Sequence, residues 1–270
     1  MTTEPHATIA EQDGIITVTI DRQAKRNAIS PEVTTVLWQA TRSLAERDDL
    51  RCMVITARGD YFSAGIDLSS APSFDFAGDP LAGGKFRRYY RQHHLLYDEF
   101  EAIEKPIILA AQGICFGAGF EMALSCDFRF CSTRADWALP EIRIGVIPGS
   151  NGTTRLTRLV GPHWAKYLSM AGRRITAARA LQIGLVHDVF EEAVLLDEVY
   201  DFCRDLMEIP ADALGIAKLA VDMAADVQDR TVQRHLDRIA NTTLMSSGEF
   251  AARTARFRKP ATHEPDRPPQ

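Results

Sequence analysis

Apolar and polar positions along this chain recur with two periods, one near two residues and one near 3.6, and the switches between them mark out the elements. Residues 14–21, GIITVTID, alternate β-branched positions and predict a strand. Ser30-Pro31-Glu32 predicts a helix start: a capping hydroxyl, a proline at the first helical position and an acid in the first turn. Val33, Val36, Leu37, Ala40 and Leu44 follow at helical spacing. RCMVITA (51–57) and KPIILAAQG (105–113) are short, continuous apolar runs, the pattern of strands buried on both faces. Between them, 67–105 is polar, aromatic and irregular at first and helical later, through FRRYYRQHHLLYDEFEAIE. DFRFCS (127–132) and LVHDVF (185–190) predict further short strands, and TAARALQIG (176–184) a capped helix closed by Gly184. From about Leu195 to Arg258 the pattern is almost wholly helical.

Strands alternating with helices predict an α/β core over 1–194, with an all-helical region, 195–258, appended to it. The last stretch, 259–270, is KPATHEPDRPPQ, a proline-rich composition that predicts a disordered tail. Hydrophobic residues at 46% and charged residues at 25% belong to a soluble globular protein. A formal net charge of -5 argues against a general nucleic-acid binder, which needs clustered Lys and Arg. No apolar run approaches the roughly 18–20 residues of a membrane span, and MTTEPHATIAEQDG has neither the basic nor the apolar region of a signal peptide. The five cysteines lie mostly in apolar strand- or helix-like contexts, so reduced core thiols in a cytoplasmic protein are expected rather than disulfides or a metal cluster.

Three stretches could carry chemistry. In FSAGIDL (62–68) a small-residue turn after an apolar run leaves backbone N–H groups without a strand partner. In GICFGAGFEMALSCD (113–127) small residues at 117–119 lead into an apolar helix whose first-turn N–H groups are unpaired. Taken alone, each turn is equally a place where only small residues pack. Together they could form an oxyanion hole for a polarised carbonyl. The same helix carries Glu121, an acid inside an apolar run, where an ionised carboxylate needs a partner. In ALPEIRIGVIPGSNG (138–152), Glu141 follows a proline, and two carboxylates meeting in one pocket could manage protons and water between them. Taken alone, either glutamate reads first as a helix-dipole or surface acid.

With KRNAIS (25–30) and GRRITAARALQIGLV (172–186), these stretches stand in an order that resembles the crotonase superfamily, the enoyl-CoA hydratase/isomerase family, over roughly residues 8–258. The resemblance implies a spiral of ββα turns followed by helices that build a homotrimer, often paired into a hexamer. It implies an acyl-CoA thioester as substrate, with coenzyme A as part of that substrate, no tightly bound cofactor and no metal. The thioester oxygen would be held by the backbone N–H groups of Ile66 and Ala118; alanine at the second position, where relatives often have glycine, is a mild departure. Glu121 would hold the water that adds to Cβ, its burial offset by that water and the nearby helix start. Glu141 would deliver or remove the Cα proton. This pattern is closest to the enoyl-CoA hydratases, with isomerases, carnitinyl-CoA-like dehydratases and hydratase-lyases as alternatives. Dienoyl-CoA isomerases carry a further acid eight residues after the second, where this chain has Gly149.

Around the coenzyme, Lys25 and Arg26 are expected at phosphates and the Ser63 and Ala64 backbone at adenine, with Asp67 and Gly117 completing the substrate contacts. Between Asp67 and Pro106, Phe74, Phe76, Phe86, Tyr89 and Tyr90 are expected to form a lid or acyl-pocket wall. GDPLAGGKF (78–86) lacks the Ser or Thr of a phosphate loop after its lysine, PGSNG lacks the spacing of a serine nucleophile elbow, and His93-His94 is expected to be solvated.

Overall fold

A computed structural model of the chain describes residues 5–255, except 71, 73, 74 and 228 and the side chains of 226, 230, 231, 233 and 234. Phe74 and the tail over 259–270 therefore lie outside the described residues. Strands β1 (Ala7–Gln12) and β2 (Ile15–Ile20) form a hairpin. Helix α1 (Pro31–Glu46) follows, its start fixed as the sequence predicts: Ser30 Oγ accepts from the Val33 N–H, and Val33, Leu37, Ala40 and Leu44 are buried.

Three successive turns then repeat one plan of strand, strand, helix. The first is β3 (Cys52–Ala57), β4 (Tyr61–Ser63) and α2 (Ala82–Ala102). The second is β5 (Ile107–Ala111), β6 (Ile114–Phe116) and α3 (Ala118–Leu124). The third is β7 (Phe128–Ser132), β8 (Asp136–Ala138) and α4 (Gly152–Ser169), with a 3-10 turn, Pro140–Ile144, ahead of the helix. Helix α4 is bent at Gly161, whose backbone leaves the helical region before Pro162. β9 (Ile175–Thr176), α5 (Ala177–Gln182), β10 (Asp188–Phe190) and α6 (Leu195–Met207) complete this part.

The first strand of each turn joins one sheet of order β1-β2-β3-β5-β7-β10, and the second joins another of order β4-β6-β8-β9. Within the first sheet β2, β3, β5, β7 and β10 run parallel. Every residue of β3 and β5 is buried, as expected of strands covered on both faces. All five cysteines are free and buried.

The chain divides into two compact units, one ending at Ala211 and one beginning at Asp212. Helix α6 lies within the first: Phe202 packs edge-on against Phe128 and Phe130, and Leu206 is buried. The second unit is helical, with α7 (starting one residue earlier, Ala211–Asp226), α8 (Arg230–Met245) and α9 (Gly248–Thr254), the last capped by Ser247.

Candidate active site

The second sheet brings the candidate residues together. Its strands β4, β6 and β8 are parallel, Ser63 opposite Cys115 after a register shift at Tyr61–Ser63 and Phe116 opposite Ala138, so their carboxyl ends lie side by side. Ile66, Ala118 and Glu141 each follow one of those ends by two or three residues. The Ser63 hydroxyl accepts from the Gly65 N–H at 3.1 Å and closes the first turn, which is pinned further by Ala64 N–H to Arg26 O at 2.9 Å and Asp67 N–H to Ile29 O at 3.0 Å. The second turn rests on Gly117, at φ +53°, where a Cβ would lie 3.3 Å from the Gly65 Cα and 2.9 Å from Glu141 Oε1. A Cβ on Gly65 would in turn stand 3.5 Å from the Ala118 nitrogen. The two turns are therefore in contact, and among the described residues neither the Ile66 nor the Ala118 N–H has a backbone acceptor. Positive φ falls on Gly117 and not on Ala118, so the alanine carries no backbone strain.

Glu121 is 3% exposed on α3. Its Oε1 accepts from the Gly149 N–H at 2.6 Å and its Oε2 from the Ser150 N–H at 3.1 Å. The protein partners of this buried carboxylate are thus amides of a turn in the third repeat, and not the helix start that the sequence suggests. Burial pushes its pKa up, while those two N–H groups and Arg155 oppose the rise. Glu141, half-buried on the 3-10 turn, is pushed up to about 7 by burial, with the charge of Glu121 adding to the rise. Its Oε2 is buried and without a partner among the described residues. Through that charge the titration of Glu141 depends on the state of Glu121.

Lys25 and Arg26 are exposed beside the Ala64 turn, with the Arg26 guanidinium 5.6 Å from the centre of the Tyr61 ring. Asp67 is occupied within its own loop, taking Arg22 Nη1 at 2.6 Å on Oδ2 and both the N–H and hydroxyl of Ser69 on Oδ1. Those hydrogen bonds hold its carboxyl well below the usual range.

Three features escaped the sequence reading. Tyr97 is buried and donates to the Ala118 carbonyl at 3.1 Å, steadying the second turn. Arg155, 5% exposed, donates to Glu101, Asp98 and the Ser150 carbonyl, tying α2 to the turn that holds Glu121. His93 is buried rather than solvated, because its face of α2 is the one carrying Leu96, Tyr97 and Phe100 into the core. The positions 86, 90, 93 and 97 fall on one helical stripe, a signal that would have found Tyr97; nothing local marks Arg155.

Two sheets joined by repeated strand–strand–helix turns define an α/β class of protein. The chain belongs to the enoyl-CoA hydratase/isomerase family, the crotonase superfamily, whose family model matches residues 10–259. Among solved structures it is similar to the enoyl-CoA hydratase of Bacillus anthracis (TM-score 0.85, 25% identity, 93% of this chain and 95% of that one). It is also similar to that of Thermoplasma volcanium (TM-score 0.83, 28% identity, 95% and 98%). Among curated proteins it is 34% identical to the carnitinyl-CoA dehydratase of Salmonella enteritidis, over 76% of this chain and 75% of that one. With the counterpart from Salmonella arizonae it shares 36% over the same spans.

Proposed function

We propose that the chain adds water across the 2,3 double bond of a 2-enoyl-CoA thioester and removes it in the reverse direction. The observation that carries this reading is the pair Glu121 and Glu141 set against two touching turns with spare N–H groups. The thioester oxygen accepts from Ile66 and Ala118, each donor contributing about 2.7–4 kcal/mol as negative charge builds there. Glu121 takes a proton from water as the water oxygen bonds to Cβ, and Glu141, which holds its proton up to about pH 7, delivers it to Cα. The pair then resets by passing a proton from Glu121 to Glu141, directly or through solvent. Lys25, Arg26 and the Ser63–Ala64 backbone receive the coenzyme portion; Asp67 acts by shaping that loop. No cofactor beyond the coenzyme A of the substrate is needed.

The curated relatives are named carnitinyl-CoA dehydratases, which supports dehydration as the direction of use. The same groups serve either direction. A panel of 2-enoyl- and 3-hydroxyacyl-CoA thioesters, followed by loss or gain of the conjugated enoyl absorbance, tests both; no turnover with any member overturns the reading. A homotrimer, alone or paired, fits the exposed Ile144, Val146 and Ile147 beside the site and Val221, Met223 and Ile239 in the helical unit. Phe202 and Leu206 on α6 are used inside the subunit. Five buried free thiols fit a cytoplasmic location.

A further inference from the structure

Gly149 supplies the N–H that holds Glu121 Oε1, yet it has no side chain of its own at the site. The space a side chain would take is filled from α2: a Cβ on Gly149 would overlap the Tyr90 hydroxyl and lie 2.6 Å from its Cε1. The phenol oxygen and Glu121 Oε1 thus flank the same residue. The ring is held in that place by Phe86, stacked at 5.1 Å, and by His94, edge-on at 5.1 Å.

We propose that the Tyr90 hydroxyl is a second contact, beside Glu121, to the oxygen that enters or leaves at Cβ. This assignment rests on the hydration reading above. Glu121 gives one lone pair of each oxygen to the 149–150 amides and keeps the others for a water proton. A phenol across Gly149 both donates and accepts, so it can fix the remaining valences of that oxygen. In the dehydration direction its O–H supports the departing hydroxyl. Burial and the charges of Glu121 and Glu141 push the phenol up to about 12, so it stays neutral at working pH and adds no third negative charge to the pair. The same contact leaves no room for an acid at 149, the arrangement that the resemblance assigns to dienoyl-CoA isomerases.

The test is Tyr90→Phe, which keeps the ring and its stacking. The expected result is a fall in kcat for hydration of about 10- to 100-fold with KM changed by less than about twofold. Exchange of the α-proton of a saturated acyl-CoA with deuterated solvent, which needs only Glu141 and the oxyanion donors, stays at the parent rate, and the melting temperature is unchanged. Hydration at the parent rate overturns the assignment, and so does an equal loss of hydration and exchange, which would mark Tyr90 as packing alone. A parent chain that hydrates no thioester of the panel removes the hydratase reading and this assignment together; an active parent with an indifferent Tyr90→Phe removes this assignment only.

Discussion

Glu141 Oε1 lies 2.9 Å from the point where a Cβ on Gly117 would stand, so the carboxylate is pressed against the backbone of the turn that presents the Ala118 N–H. The proposed proton carrier and the proposed oxyanion donor are thereby fixed to one another through a residue that has no side chain.

Gly117→Ala therefore meets two obstacles, the positive φ and the carboxylate. Hydration is expected to fall on the order of 10²-fold through misplacement of both groups. Thermal unfolding should show a loss of about 1 kcal/mol or more, because alanine is strained at that φ. Ala118→Gly, at a position without positive φ, should keep its activity within about threefold of the parent, since the donor is backbone. Steady-state rates of the two variants check the contrast.

Glu121→Gln should do more than remove a base. Both carboxylate oxygens accept from amides, and a glutamine must turn its NH2 group toward one of them. We expect hydration to drop by about 10²–10⁴-fold and stability by about 1–3 kcal/mol, while Glu141 still exchanges the α-proton. Glu141→Gln should abolish exchange and hydration alike. Exchange measured by deuterium incorporation decides: survival in Glu141→Gln with loss in Glu121→Gln would reverse the two roles.

The pH dependence follows from the direction of the Glu141 shift. Its folded value of about 7 lies above the ordinary 4.5, so the folded chain binds more protons than the unfolded one between those limits. The contribution of this group to stability is full below about 4.5 and is lost as pH rises through about 7. Chemical denaturation at pH 5 and pH 8 should show that slope flattened in Glu141→Gln. For activity, kcat/KM of α-proton exchange should rise, and that of hydration fall, through a limb near pH 7 in the free enzyme.

Phe86 and Phe76 continue the aromatic row outward from Tyr90, with ring centres 5.9 Å apart. Phe86→Ala should change the ranking of acyl-chain lengths by kcat/KM, by about 1–3 kcal/mol per methylene-sized change in the pocket. Inhibition by free coenzyme A should be unaffected. Equal loss across all chain lengths would exclude this row as the acyl wall.

Ile144 and Ile147 are each 66% exposed. Replacing both with aspartate should convert a self-associated chain to monomer in sedimentation velocity, since charges at an apolar contact are desolvated without partners. Assembly that withstands this double change would place the contact elsewhere.

How much of this was legible in the sequence depended on the reach of each interaction. Helix α1 was plain because Ser30, Pro31 and Glu32 act within one turn of it, and β3 and β5 because their residues, Thr56 apart, form short apolar runs. Strands β4, β6 and β8 have three residues each, too few to show a period, although their ends build the site. Glu121 and Glu141 stood out by chemical type and by the motif around them. Their partners did not: Gly149 and Ser150 meet Glu121 across 28 and 29 positions of the chain. His93 was misjudged because a polar neighbourhood in sequence says nothing of which face of a helix is buried.

The strands of the second sheet end side by side, and each contributes a single element of the site from its own turn of the spiral: Ile66 from one, Ala118 from the next, Glu141 from the third. In the proposed reaction the chemistry is stacked like rungs, one per repeat. A substitution on one rung can redirect the fate of the bound thioester while the other rungs still grip it, so such a scaffold can diversify its reactions one position at a time.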